Sequence, residues 1–255
     1  MKNTIRLEFE EAKKKMIEEV SFQGKTLARL TRENVAIVEA MIRNDSAYIH
    51  STDVDAEPSY NRKKEVKYGG SSAYWMKQLK NALTGKDDSV VDSYEWIIKG
   101  AVEAVDRENS THLNADGCGR EEIASRIIKL DKVELLKCLK HPDYEDMMLI
   151  RLISEKTSAK VKARRNISFA SKFCHYACFY VYENTEYQDN YSIYDNILKT
   201  VLPWYLQYYK IEKKYDLSDY KEYREAVDLI RRASGVEISR NGFDHLLWYY
   251  HKGRI

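Results

Sequence analysis

NISFASKFCHYACFYVY, residues 166–182, is the most apolar stretch of the chain, which has 255 residues. Its apolar residues follow helical spacing on two stripes, with Ile167, Ala170, Cys174, Ala177 and Val181 on one and Phe169, Phe173, Tyr176 and Tyr180 on the other. A helix that is apolar nearly all round belongs in the interior of a protein unless a membrane is available. The stretch therefore predicts a buried central helix.

The rest of the composition also favours helices. Only three prolines and ten glycines interrupt the chain, and long segments are rich in Glu, Lys, Leu and Ile. Helical spacing and capping residues predict further helices over residues 4–21, 31–43, 72–84, 89–105, 120–129, 131–140, 143–153, 195–201, 219–233 and 243–251. Polar stretches predict loops at 44–70 and 107–119, and Asn241-Gly242 predicts a turn. We expect an all-α protein in which residues 1–255 form a single helical unit.

The net charge of the chain does not indicate a nucleic-acid partner, because it is only +2. The local exception is KTSAKVKARR, residues 156–165, which contains Lys160, Lys162, Arg164 and Arg165 and no acidic residue. Two interpretations of this basic run stay open. It is either a solvated helix face or linker, or a surface that contacts phosphates.

The cysteines indicate a reducing environment. Cys118, Cys138, Cys174 and Cys178 lack CxxC spacing. Cys174 and Cys178 share a helix face, but two thiols alone do not complete a tetrahedral metal site, so we expect buried thiols, no metal and no cofactor. We find no signal peptide and no apolar run of membrane-spanning length. We expect a cytoplasmic monomer that does not associate with membranes.

Lys172 is the first candidate for chemistry, because it lies in the middle of the apolar helix. The residues three and four positions from it are Ser168, Phe169, His175 and Tyr176, so no carboxylate lies beside it along the helix. Apolar surroundings lower the pKa of a lysine and make its amine a usable nucleophile. The alternative is a lysine that extends to solvent or meets a distant acid.

Asp195 is the second candidate, in the string YSIYDNIL that covers residues 191–198. An aspartate directly before a helical apolar pattern is a helix N-cap, and this structural role is sufficient by itself. The same carboxylate is also suited to stabilise a cationic sugar in a transition state.

The sequence resembles the catalytic core of the helix-hairpin-helix DNA glycosylases in three successive features. These are the apolar helix with Lys172, the loop after it, and Ile193-Tyr194-Asp195 at the start of the next helix. The resemblance is closest to the 8-oxoguanine glycosylases, including their archaeal branch and bacterial relatives. It implies that Lys172 attacks the deoxyribose C1′ and that Asp195 supports the oxocarbenium character of the sugar. It covers mainly residues 156–205, taken as the approximate catalytic core.

The final helix adds a second match. Asp244 and Trp248 are four residues apart and therefore share a helix face. The archaeal-type enzymes have such an Asp-x-x-x-Trp pair, which binds and stacks the flipped base. Trp75, after Gly70-Ser71-Ser72-Ala73-Tyr74, is a weaker match for the opposite side of the base. For both tryptophans, packing in the protein core is the alternative.

The resemblance implies two helical subdomains with the active site in the cleft between them, and double-stranded DNA with a modified base as the partner. It implies excision of oxidised guanine. Because an amine nucleophile forms an imine with the sugar, strand cleavage by β-elimination can accompany this excision. Residues 163–168 lack the glycines that usually bind phosphate in the hairpin, which leaves phosphate contacts to the side chains of the basic run. Because the sequence departs from the family in this way, a hypermodified phage base that is excised in antiphage defence stays open as an alternative substrate. A non-catalytic helical module that binds nucleic acid or protein is the alternative from another class.

Overall fold

The structure is a computed structural model, and it describes residues 17–44, 68–85, 93–109, 111, 113, 119–158 and 166–254. These residues form ten helices and one small sheet, which confirms the predicted mainly helical class. The helices are α1 (Arg32–Asn44), α2 (Ser72–Thr84), α3 (Tyr94–Asn109), α4 (Gly119–Ile128), α5 (Lys132–Lys140), α6 (Met148–Ser154), α7 (Ile167–Val181), α8 (Asn196–Tyr208), α9 (Tyr220–Ala233) and α10 (Arg240–His251).

A β-hairpin precedes the first helix. Strands β1 (Glu19–Phe22) and β2 (Lys25–Ala28) pair antiparallel. Gln23 and Gly24 between them have positive φ, 48° and 73°, as a two-residue type I′ turn requires. The predicted helix over 4–21 is therefore wrong at its end, and its first part lies outside the described residues.

Side-chain caps define several helix ends as the sequence predicts. Thr31 Oγ1 accepts a hydrogen bond from Asn34 N at 3.0 Å before α1. Asp131 Oδ1 accepts one from Glu134 N at 2.7 Å before α5. At the end of α2, Gly85 has the left-handed conformation, with φ 64°. Each cap satisfies a backbone group that has no partner within the helix.

Two helix starts differ from the prediction. Helix α10 begins before the expected Asn241-Gly242 turn, because Ser239 Oγ accepts a hydrogen bond from Gly242 N at 2.8 Å and caps the helix. Helix α6 begins only at Met148, since the three residues before it have positive φ values of 45°, 54° and 60°. The prediction of one continuous right-handed helix over residues 143–153 is therefore wrong.

The described chain divides into two compact units. Unit 1 combines residues 17–44 with residues 194–254, and unit 2 comprises the described residues between them. Unit 1 therefore contains β1, β2, α1 and α8 to α10, whereas unit 2 contains α2 to α7.

Helix α7 is the centre of unit 2. It packs against α2, α3, α5 and α6, and the side chains of Phe169 and Phe173 have 1% and 0% of their surface exposed. The buried helix predicted over 166–182 is thus confirmed. No helix within the described ranges is both long and apolar enough to cross a membrane.

Three cysteines of unit 2 are buried thiols, as predicted: Cys138, Cys174 and Cys178 are free and buried. Burial raises the pKa of Cys138 to about 11 and that of Cys174 well above its usual range. Both thiols therefore stay protonated and unreactive at neutral pH. Among the described residues, no group of His, Cys, Asp and Glu side chains is arranged to hold a metal ion.

Two buried carboxylates on α3 hold together three parts of unit 2. Asp106 is 2% exposed, and its Oδ2 accepts from Arg120 Nε at 2.7 Å while its Oδ1 accepts from Leu113 N at 3.0 Å. Glu103 is 4% exposed, accepts from Tyr68 N at 3.1 Å and lies 3.8 Å from Arg120. Buried charges persist only where cations and hydrogen-bond donors compensate them. These carboxylates therefore join α3 to α4 and to the backbone that precedes α2.

In unit 1, the three C-terminal helices pack together, and α10 also packs against α1 and β2. The buried Tyr205 hydroxyl on α8 donates to Ala28 O of β2 at 3.0 Å and lies 3.1 Å from Nε2 of His251 on α10. Because the single hydroxyl proton goes to the carbonyl, His251 Nε2 donates to the hydroxyl oxygen. One tyrosine thus joins a helix, a strand and the C-terminal helix.

His251 makes the stability of unit 1 depend on pH. Burial lowers its pKa from 6.5 to about 4. The unfolded chain therefore binds more protons than the folded one between these values, and the free energy of unfolding decreases as the pH falls through this window. From pH 7.5 to 5 we expect a loss of about 1 to 2 kcal/mol, after allowance for the partial exposure of the ring. Urea unfolding at both pH values measures this loss.

The control for this prediction is His251→Gln, which keeps a side-chain amide N–H donor but does not titrate. Other titrating groups contribute equally in both proteins, so the difference between the two pH dependences isolates His251. Equal pH dependences of unfolding in wild type and variant would contradict the assignment.

Candidate functional site

Asp195 lies at the start of α8. Its Oδ1 accepts a hydrogen bond from Ile197 N at 2.7 Å, and its backbone is extended, with φ −130° and ψ 147°. The side chain is half-buried, and Ile193 and Tyr194 before it are 7% and 8% exposed. The predicted N-cap role is therefore confirmed. A carboxylate in this position has a fixed orientation and lies at the positive end of a helix dipole.

Asp244 is a buried acidic residue of the same unit. It lies on α10 with 6% of its surface exposed. Carboxylates are rarely buried to this extent without a specific environment that compensates the charge. It lies one turn before Trp248 on the same helix, and its role with Trp248 stays a prediction.

Tyr223 on α9 belongs to the same unit as these two aspartates. Its side chain is fully buried, and burial raises its pKa well above the usual range, with further contributions from the carboxylates of Asp244 and Asp195. A backbone hydrogen bond from Asp195 acts in the opposite direction.

Trp248 is half-buried on α10 and has cations beside it. The Lys252 Nζ lies 4.3 Å from the centroid of the indole ring, and the Arg254 guanidinium lies 5.9 Å from it. The neighbouring Tyr249 ring contacts it edge-on at 5.0 Å. Trp248 is thus a half-buried aromatic ring with positive charge at its face, in a cation–π arrangement.

Trp75 has the environment of a core residue. It is 3% exposed, and its Nε1 donates to Gly69 O at 2.7 Å. A Cβ atom at Gly100 would lie 2.4 Å from the indole ring, so the ring packs directly on the backbone of α3. Two roles were predicted for Trp75, contact with the flipped base and packing in the protein core. This placement favours packing in the core. Contact with a base would require the ring to leave this packing.

Lys172 lies in unit 2, on α7, and is half-buried. On the adjoining turns Phe169 is 1% and His175 2% exposed, and the Tyr176 hydroxyl donates to Asn109 Oδ1 at 3.2 Å. The surroundings of Lys172 along its helix are thus aromatic and mostly buried, as the sequence predicts. Its role in chemistry stays a prediction.

The loop after α7 has anchors that sequence reasoning did not identify. Nδ1 of His175 lies 2.9 Å from Tyr191 O, and the Tyr191 hydroxyl donates to Cys138 O at 2.7 Å. Asn190 Nδ2 donates to Lys140 O at 2.8 Å. The polar loop is therefore fixed to α5 and α7 up to a few residues before Asp195. No local sequence signal gives these partners, because each lies in another element.

Tyr223 was also missed, although a weak signal for it exists. Tyr220 and Tyr223 fall on the apolar stripe of an amphipathic helix, and both are buried. The stripe predicts burial but not the position of the hydroxyl group.

The basic run Lys160, Lys162, Arg164 and Arg165 lies outside the described residues. Comparisons of the chain with protein-family models, with curated proteins and with solved structures give no match. The functional assignment therefore depends on the residues and their geometry.

Proposed function

We propose that the protein is a DNA glycosylase that flips a modified base out of double-stranded DNA and cleaves its glycosidic bond. The observation that carries this proposal is that Asp195 and Asp244 lie in the same unit, at the start of α8 and on α10, and that these two helices pack together. The resemblance assigns these two aspartates independently, from separate parts of the chain. Their location on packed helices of one unit supports a shared role for the two carboxylates.

In the proposed reaction, Asp195 supplies negative charge to the sugar. Loss of the base leaves positive charge on C1′ and the ring oxygen, and a fixed carboxylate stabilises it, as in glycoside hydrolysis. The hydrogen bond between Asp195 Oδ1 and Ile197 N, 2.7 Å long, fixes the carboxylate before the reaction begins. Fixed groups stabilise a transition state without the cost of reorganisation.

Lys172 is the proposed nucleophile. Its neutral amine donates a lone pair to C1′, and the C1′–N bond breaks with its electrons going to the departing base, which takes up a proton. Loss of an amine proton and opening of the sugar ring then give an imine between Lys172 and C1′. Removal of a C2′ proton allows β-elimination of the 3′ phosphate, so strand cleavage accompanies excision.

Asp244 and Trp248 are the proposed base-binding residues. A carboxylate accepts hydrogen bonds from N–H groups at a base edge, and an indole ring stacks on the base. Trp75 is retained in this proposal only as a packing residue that shapes unit 2. Oxidised guanine is the first proposed substrate class, and a hypermodified phage base is the second. We further propose that the basic run at 160–165 contacts phosphates and that the protein acts as a cytoplasmic monomer.

A non-catalytic helical binding module is the second candidate. It is favoured by the structural roles that two candidate residues have in the fold. Asp195 caps α8, and the Trp75 ring fills the space over Gly100. In this case Lys172 and Asp195 serve stability only.

The experiment that tests the proposed function is excision from labelled duplexes. Each duplex carries one modified base, either 8-oxoguanine or one of several hypermodified pyrimidines, and alkali converts abasic sites to strand breaks. We expect breaks at the modified base of at least one duplex and none in the unmodified duplex. Salt-dependent DNA binding without excision of any modified base would support the binding module instead.

A further inference from the structure

Three cations of unit 1 lie beside tryptophan rings. The Nζ atom of Lys25, the first residue of β2, is 4.2 Å from the centroid of the Trp204 ring on α8. Lys252 and Arg254 lie beside the Trp248 ring in the same way, at 4.3 and 5.9 Å. All three cations are exposed, and both rings are half-buried. Unit 1 therefore has two flat aromatic groups with positive charge next to them.

The two tryptophans belong to one surface of unit 1. The Trp204 ring contacts the His251 ring edge-on at 5.9 Å, and His251 lies one turn after Trp248 on α10. Tyr208 extends the aromatic side of α8 by one turn, and its ring lies 5.6 Å from that of Phe22 on β1. We define the aromatic–cation surface by these residues: Lys25, Trp204, Tyr208, Trp248, Lys252 and Arg254.

The hairpin that carries Lys25 is fixed to α1 by a buried amide. Asn34 is 0% exposed, and its Nδ2 donates to Glu18 O at 2.9 Å and to Arg29 O at 2.8 Å. Its Oδ1 accepts from Glu18 N at 2.9 Å. Because Glu18 and Arg29 flank the two strands, the amide holds both ends of the hairpin. The position of Lys25 relative to α8 is thus set before any ligand binds, which lowers the cost of binding.

The charge of this surface complements a polyanion. Within the described ranges, none of Lys25, Lys252 and Arg254 forms an ion pair with a carboxylate. Glu19 of β1 is an acid on the same side of the hairpin and α10, and it accepts a hydrogen bond from the Tyr250 hydroxyl at 2.7 Å. The three cations outnumber this acid. Positive charge interleaved with aromatic rings is the pattern that single-stranded nucleic acids require.

We propose that the aromatic–cation surface binds the unpaired nucleotides of a single strand. The bases stack on the rings of Trp204 and Tyr208, and the phosphates lie at the three cations. An exposed cation on an aromatic ring contributes about two- to fivefold to affinity, whereas a stacked base contributes about 5- to 150-fold. A base therefore displaces Lys25 from the ring, and the released amine binds a phosphate. This inference goes beyond the proposed function, because it requires neither a modified base nor excision.

The first test measures binding of a fluorescein-labelled oligothymidine strand of about twelve nucleotides to the full chain, by fluorescence anisotropy. We expect Trp204→Leu to weaken binding about tenfold, because a base loses its stacking partner. Trp96→Leu is the matched control, since Trp96 lies in unit 2 and is 41% exposed. It should change the affinity by less than about twofold. Thermal unfolding shows that both variants are folded.

The second test uses Lys25→Gln, an exposed substitution that does not disturb packing. We expect the slope of the logarithm of affinity against that of salt concentration to become shallower by about 0.7, because one phosphate contact is lost. Lys213→Gln is the matched control. Lys213 Nζ also lies over a tyrosine ring, at 4.8 Å, but it is 2.7 Å from the Glu225 carboxylate, which neutralises it. This variant should leave the slope unchanged.

Several outcomes would overturn the inference. These are the absence of saturable binding by the wild type, equal losses in Trp204→Leu and Trp96→Leu, and an unchanged salt slope in Lys25→Gln. Equal affinity for a strand of the same length without bases would show that only charge is recognised. Binding to phosphatidylglycerol vesicles but not to the strand would assign the surface to lipid. Because the strand has no modified base and the variants leave Trp248 intact, these outcomes do not decide the glycosylase proposal, and the absence of excision does not decide this one.

Discussion

Replacing Lys172 by glutamine is expected to abolish the covalent adduct that borohydride forms between the protein and a susceptible duplex. Borohydride reduces the imine to a stable amine, so trapping reports directly on an amine nucleophile. Glutamine keeps much of the length and the polarity of lysine, and it cannot form an imine. Denaturing electrophoresis of the labelled duplex measures the adduct.

Lys80→Gln is the matched control for this variant. Lys80 is a lysine of unit 2 on α2, and its Nζ lies 2.9 Å from Glu183 in an ion pair. We expect this variant to form the adduct as the wild type does. Trapping by Lys172→Gln would show that another amine is the nucleophile. Excision by wild type without trapping would show that water attacks C1′.

Asp195→Asn is expected to fold normally but to lose excision activity by about 10²- to 10³-fold. Asparagine is as good an N-cap as aspartate, so the bond to Ile197 N is retained. The variant lacks only the negative charge that stabilises the sugar cation. Single-turnover excision rates and thermal unfolding of the variant measure the two effects separately.

Asp219→Asn provides the same substitution at another N-cap of unit 1. Asp219 Oδ1 accepts from Glu222 N at 3.1 Å before α9. Its loss of charge should affect neither excision nor folding strongly. If Asp195→Asn and Asp219→Asn both retain activity within a few-fold of wild type, Asp195 is a cap and nothing more.

The elements with strong periodicity were predictable from the sequence. The apolar stripes at 166–182 gave α7 to within one residue at each end, and Gly85 marked the end of α2. In both cases the information is local, because helical spacing and a left-handed cap involve only residues close in the chain.

The β-hairpin was missed for a different reason. Residues 19–22 follow a charged segment with helical spacing, and a strand of four residues is too short to show a clear alternation. The turn residues Gln23 and Gly24 were the available signal. The short strands gain stability from contacts far along the chain, such as that of Ala28 O with Tyr205.

The left-handed turn before α6 shows how packing overrides local preference. Non-glycine residues pay about 1–2 kcal/mol each for a left-handed conformation. Met147, the last of the three, has only 3% of its surface exposed. Burial of a methionine side chain contributes about 1.5–3 kcal/mol, which is enough to offset part of the cost. No local pattern in Glu145-Asp146-Met147 indicates this balance.

For the candidate site, the residue types were predictable and their neighbours were not. Asp195 was predicted as a helix N-cap from its position before an apolar pattern, and Asp244 was assigned through the family resemblance, so its role stays a prediction. Tyr223 was not identified, because its complete burial depends on how α8, α9 and α10 pack together. Contacts of that kind depend on how helices pack, which one sequence does not specify.

The path of the chain through unit 1 constrains the order of events during synthesis. The hairpin and α1 leave the ribosome before unit 2, but their partners in α8 and α10 follow only after all of unit 2. The hydrogen bond between Tyr250 and Glu19 closes a separation of 231 residues. Contacts at such separation form slowly and late. The continuous unit 2 is therefore free to fold while the nascent chain is still growing, whereas unit 1 can assemble only after α10 has been synthesised.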